Sequence, residues 1–127
     1  RMSWSKLFVI VNALVFVGFG LGFFLMPEQL YQNLTDSVPA TASALVDTHA
    51  TYGGLSLAYG AVLLWTALED AVRGLKYVLL AMACMATARV VGIIVAGEAN
   101  LTMYSFLVTE LIVAVLAVVL LKRTSAG

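Results

Sequence analysis

Leu7-Phe8-Val9-Ile10-Val11-Asn12-Ala13-Leu14-Val15-Phe16-Val17-Gly18-Phe19-Gly20-Leu21-Gly22-Phe23-Phe24-Leu25-Met26 runs without a single charged residue. At about 1.5 Å of rise per residue, such a helix crosses the roughly 30 Å of hydrocarbon in a bilayer. Three more stretches meet the same length condition: about Ala44 to Leu68, Leu75 to Ala96, and Thr102 to Leu121. None has the period-two alternation of a membrane strand, and a backbone in lipid must satisfy its own hydrogen bonds, so each reads as one helix. The expected fold is all-α, an integral membrane four-helix bundle of up-down-up-down topology forming a single domain over residues 1–127.

Composition agrees. Of 127 residues, 62% are hydrophobic and 11% charged, and the mean hydropathy of +1.01 lies far from the soluble average. A formal net charge of zero with no basic run removes the electrostatic footprint of nucleic-acid binding. Cys84 is the sole cysteine, which excludes an intrachain disulfide and any cysteine-based metal motif. Lys6 followed by an apolar run resembles a signal peptide, but the run is too long and no small-x-small site stands immediately before Pro27, so a retained helix is expected. Met2 reads as the native start.

Orientation follows from the connections. The first, Pro27 to Ser43, carries Glu28 and Asp36 but no Lys or Arg, and the third, Gly97 to Leu101, also lacks a base. Arg1, Lys6, Arg73, Lys76, Lys122 and Arg123 all flank the opposite side. The positive-inside rule then puts both termini in the cytoplasm of a bacterial inner membrane. Within the first connection Leu30, Tyr31 and Leu34 fall at helical spacing, which predicts a short amphipathic turn on the membrane surface. The Asn33-Leu34-Thr35 and Asn100-Leu101-Thr102 triplets match a glycosylation pattern that chance also produces, and they carry no functional reading. Gly18 with Gly22, Gly53 with Gly60, and Ala88 with Gly92 and Ala96 read as helix-packing surfaces, with a cavity wall as the alternative.

Charges inside the spans are the candidate site. Arg89 and Glu110 are expected at matched depth, ~10 to 12 Å below the outer surface, where an unpaired charge is expensive and mutual pairing is the expected arrangement. Asp47, His49 and Tyr52 enter from the outer end of the second span. At about 100° per residue His49, Tyr52, Gly53, Ser56 and Gly60 share one side, whereas Asp47 points almost opposite His49 unless the helix is irregular there. Asn12 alone stands out in the inner half, which argues against a complete polar channel.

These residues leave two functional uses beside one structural reading. Arg89–Glu110, with Asp47, serves as interhelical glue in an accessory membrane subunit. Alternatively the cluster Asp47, His49, Tyr52, Arg89 and Glu110 binds, or converts, a lipophilic small molecule such as a quinone or a lipid. In such a site His49 would act as base near neutral pH, Arg89 would hold a carbonyl or anionic oxygen, and an acid would orient them. A small transporter subunit is the remaining reading, and it would need an oligomer. One histidine with scattered acids gives no metal site, and no cofactor is expected. Membrane lipids are the expected surroundings, with a homo-oligomer or membrane-protein partner left open.

Met26-Pro27-Glu28, Asp47 with Ala50 and Tyr52-Gly53-Gly54, Ala88-Arg89 with Gly92, Gly97, and Glu110-Leu111 together resemble domain-of-unknown-function family 4345. The resemblance runs from about Leu7 to Lys122 and implies a DoxX-like small bacterial four-helix membrane protein. Some members of that wider group are similar to subunits of quinone-linked redox systems. The family commonly has arginine where this chain has His49, and an acid where it has Ala96, with Glu98 nearby as a substitute. A role needing fixed positive charge in the second span is therefore not implied here.

Overall fold

The computed structural model describes residues 3–126, and the reading of Met2 as the start lies outside them. The chain forms α1 (Trp4–Leu25), α2 (Pro27–Thr35), α3 (Ala42–Thr48), a π-helical stretch (His49–Leu55), α4 (Ser56–Glu69), α5 (Ala71–Ala96) and α6 (Leu101–Ala126). There is no strand among the described residues. Four helices are long and apolar enough to cross a membrane: Trp4–Leu25, Ala42–Glu69 (α3 through α4), Ala71–Ala96 and Leu101–Ser125.

The spans begin and end beyond the apolar runs because polar residues cap them. Ser3 Oγ accepts from the Lys6 amide at 3.1 Å and starts α1. Asp70 does the same for α5 through the Arg73 amide at 3.1 Å, drawing the helix start back to Ala71. At the other end of α5, Gly97 takes φ +82°, donating its amide to the Ile93 carbonyl at 2.9 Å. Pro27 stops α1 and opens α2, where its missing amide proton costs nothing. Residues 27–35 thus form a full amphipathic helix, longer than the single turn expected, closed by Asp36 in the left-handed region at φ 59°.

The first span packs chiefly on the second, and the third on the fourth. The two pairs meet over a core of Val9, Ala13, Leu63, Ala67, Leu75, Val78, Met82 and Ala117. All of these come from the half of the bundle that holds the chain termini. In the other half the charged pair and a set of aromatic rings occupy the interior instead. The exterior is apolar: Leu25 is 79% exposed, Ile94 73% and Val95 81%. A water-soluble monomer rarely shows so much contiguous apolar surface, and the pattern is compatible with a membrane protein in contact with lipid.

Lipid tails are as apolar as leucine, so close packing must hold such helices together. The first and second spans achieve it at glycines. A methyl group built on Gly60 would stand 2.9 Å from the Ala13 carbonyl oxygen and 2.9 Å from the Val17 amide nitrogen. Gly20 is equally tight against Leu57 and Gly53. Gly18, by contrast, faces nothing within 4 Å. Gly60→Ala should therefore cost about 1 to 3 kcal/mol through overpacking against backbone. Gly18→Ala should be neutral or raise stability by up to about 1 kcal/mol. Thermal unfolding in one detergent checks both, and equal effects at the two positions would contradict the packing.

Candidate functional site

Arg89 on α5 and Glu110 on α6 form a two-pronged ion pair. Arg89 Nε donates to Glu110 Oε1 at 2.8 Å and Nη2 donates to Oε2 at 2.7 Å. This parallel fork is the strongest arrangement available to the two side chains. Their side chains are 20% and 6% exposed respectively, so the carboxylate is enclosed behind the guanidinium. Nη1 also reaches Met103 Sδ at 3.3 Å, and the guanidinium carbon lies 5.3 Å from the Phe106 ring centre. Guanidinium N–H groups remain beyond these three bonds.

Arg89 also lines a pocket of about 640 Å³ at the end of the bundle away from the termini. Arg89, Gly92, Ile93 and Ala96 of α5 form one wall, and Met103 lies opposite. Asp36, just after α2, and Glu98 and Ala99, in the connection between α5 and α6, line its outer end. Gly92 is three residues from Arg89, hence on the same helix face. A methyl group built there meets nothing within 4 Å. The Ala88–Gly92–Ala96 stripe, expected to pack against a helix, instead presents Gly92 and Ala96 to this cavity.

Asn100 ties the pocket rim together. Its Nδ2 donates to the Leu34 carbonyl at 3.0 Å and to Asp36 Oδ2 at 2.7 Å. Its Oδ1 accepts from the Met103 amide at 3.0 Å, capping α6. One side chain thus starts the fourth span and holds the end of α2. Asn100→Ala removes both functions and should cost about 1 to 2 kcal/mol. Amide exchange should accelerate in α2 and the first turn of α6 while the core of α5 stays protected; unchanged exchange in α2 would contradict the tie.

The other three candidate residues lie along the second span. The helix is irregular where Asp47 and His49 would otherwise diverge: residues 49–55 are π-helical, a distortion frequent at functional sites. Asp47 is nonetheless exposed, accepting from Thr51 Oγ1 at 3.4 Å. His49 is half-buried with its ring 6.4 Å from that of Phe24. Tyr52 stacks on Phe23 at 5.1 Å and on Tyr31 at 6.2 Å. Phe23 contacts Phe19 at 5.0 Å, and Phe19 contacts Phe106 at 6.5 Å. Tyr52 therefore connects to Arg89 through a row of rings, whereas the pocket wall includes Arg89 alone of the five candidates. Among the described residues no group of three or more His, Cys, Asp or Glu is placed to hold a metal ion.

Asp36, Glu98, Asn100 and Met103 join the site without having been singled out for it, and Gly92 takes the cavity-wall alternative of its stripe. Asn100 carried a usable signal, an asparagine immediately before an apolar helix. Gly92 carried another in its three-residue spacing from Arg89. Met103 carried none, because a methionine in an apolar run is indistinguishable from packing.

Fold and site together define a class: a small all-helical protein with four membrane-compatible spans and a buried ion pair bridging the last two. The chain belongs to the family described as Domain of unknown function (DUF4345), which matches residues 4–121. No curated protein and no solved structure matches the chain.

Proposed function

We propose that this is a single-domain inner-membrane protein, with both termini in the cytoplasm, that binds a lipophilic molecule beside Arg89. The observation that carries this reading is the cavity wall itself: Arg89, its side chain 20% exposed and its guanidinium left with spare donors, lines a pocket of about 640 Å³. From Gly97 to Arg89 is eight residues of helix, so the Arg89 backbone lies ~12 Å below the rim, and its guanidinium touches Met103 in the first turn of α6. At that depth an oxygen on an otherwise apolar molecule gains most from a hydrogen bond. The pocket lining is mixed, with Thr35, Asp36, Arg89, Glu98 and Asn100 beside Gly92, Ile93, Ala96, Ala99 and Met103, which suits a molecule with a polar head and an apolar body.

Glu110 already neutralises Arg89, which favours an acceptor oxygen of carbonyl or ester type over a bare anion. The row of rings from Tyr52 to Phe106 gives the second span a route to sense occupancy. His49 and Asp47 have no place in the pocket wall, so binding is supported more strongly than conversion. The structural reading keeps one specific observation in its favour, the complete mutual pairing of Arg89 and Glu110.

Native mass spectrometry of protein purified in mild detergent tests the proposal. Wild type should carry a lipophile that Arg89→Gln, still folded, loses by about tenfold or more, equivalent to about 1.4 kcal/mol. A folded variant that retains the same molecule would remove Arg89 from the site.

A further inference from the structure

The charges around the pocket mouth narrow the ligand class. Asp36 and Glu98 both line the cavity. Asp36 is hydrogen-bonded to the neutral Asn100 amide, and neither acid is in an ion pair among the described residues. The connections at this end of the bundle, residues 26–43 and 97–101, contain no Lys or Arg. Arg89 supplies the one positive charge in the wall, and Glu110 cancels it. A molecule entering the pocket therefore meets two uncompensated carboxylates first and a neutralised guanidinium below them.

Resting on the binding reading above, we propose that the pocket takes an amine-headgroup lipid of zero net charge, such as a phosphatidylethanolamine, and rejects anionic lipids. The ammonium sits at the mouth against Asp36 and Glu98. Ester carbonyl oxygens accept from the spare N–H groups of Arg89 below, the acceptor type that a guanidinium already neutralised by Glu110 favours. The acyl chains leave along the open face of α5, where Ile94 and Val95 are largely exposed. Three features fit this one shape: carboxylates at the rim, donors below them beside Met103, and an apolar exit at the side. A phosphatidylglycerol would bring a net negative charge to the same rim without an ammonium to offset it, and like charges at close range are disfavoured.

Reconstitution into vesicles holding equal amounts of phosphatidylethanolamine and phosphatidylglycerol, followed by gentle extraction and native mass spectrometry, tests the assignment. Three variants accompany the wild type. Asp36→Asn/Glu98→Gln removes the rim charge; asparagine tolerates the left-handed backbone at position 36 and still offers an oxygen to Asn100. Gly92→Leu puts a bulky side chain on the cavity wall from a position where an added Cβ meets nothing within 4 Å. Gly18→Ala, at a glycine facing nothing within 4 Å and outside the pocket wall, is the control for altered helix surface.

Wild type and Gly18→Ala should retain phosphatidylethanolamine over phosphatidylglycerol by about tenfold or more. The rim variant should still retain lipid but with its preference reduced to within about threefold. Gly92→Leu should lose the retained lipid of both kinds. Equal or preferential retention of phosphatidylglycerol by wild type, lost in Gly92→Leu, would overturn the headgroup assignment and leave the binding site standing. A preference undiminished in the rim variant would likewise overturn it. Retention by Gly92→Leu equal to wild type would overturn the pocket as a site, and the headgroup assignment with it.

Discussion

Glu110→Leu is expected to lower the stability of the bundle by about 3 to 5 kcal/mol, because it leaves the Arg89 guanidinium inside the protein without its counter-charge. Both carboxylate oxygens are committed to Arg89, so the substitution removes both prongs at once. The Arg89 side chain is only 20% exposed, so water replaces little of what the carboxylate supplied. Arg89→Met/Glu110→Leu should recover most of the loss, since two apolar side chains of similar bulk leave nothing unpaired. Thermal or denaturant unfolding of the four proteins in a double-mutant cycle measures the coupling, expected at about 2 kcal/mol or more. A double variant no more stable than Glu110→Leu would mean that packing around these positions, rather than charge, holds the third and fourth spans together. The same double variant separates the two uses of the pair: glue predicts a competent fold with nothing further lost, whereas a site predicts a competent fold without its lipophile.

The spans were legible in the sequence because lipid imposes a simple condition, about twenty apolar residues per crossing, that a run such as Leu7 to Met26 displays openly. Capping explains the shifts at their ends. Ser3 and Asp70 are polar, so an apolar run excludes them, yet each is the residue from which a helix starts. The bidentate contact of Arg89 with Glu110 was within reach for a related reason: depth along a helix is arithmetic, and two opposite charges at equal depth have little alternative.

The pocket was not legible. Its walls are Gly92, Ile93, Ala96, Ala99 and Met103, residue types that an apolar helix uses everywhere, and their role depends on how far apart α5 and α6 stand at one end. The glycines make the point sharply. Gly60 and Gly92 look equivalent in sequence, one in each of two small-residue stripes. In the fold a methyl group on Gly60 would meet Ala13 and Val17 backbone, while one on Gly92 meets open space. Spacing along one helix cannot distinguish them, because the difference lies in the neighbouring helix. The π-helical turn at His49–Leu55 was invisible for a similar reason, since Tyr52-Gly53-Gly54 is compatible with any helical hydrogen-bonding pattern until α1 closes against it.

That contrast makes Gly92→Leu the most informative single substitution for function. A leucine on a helix directs its side chain back toward the preceding turn, which here is the turn of Arg89. The new side chain would lie over the guanidinium and occupy the cavity along the α5 wall, without touching another part of the protein at its Cβ. Gly→Leu inside a helix also recovers about 0.5 to 1 kcal/mol of propensity. Stability should thus hold or rise slightly while retention of a lipophile falls by more than about tenfold, a pairing that loss of fold cannot produce. Gly92→Ala, which adds one carbon, should give an intermediate loss of binding at the same stability. Unfolding midpoints and retained mass, measured on the same detergent preparations, decide the matter. Undiminished retention with the cavity filled would place the ligand elsewhere on the bundle and return Arg89 and Glu110 to a purely structural role. A loss that tracks a lowered midpoint would mean that α5 is already packed at Gly92, contrary to the open space seen there.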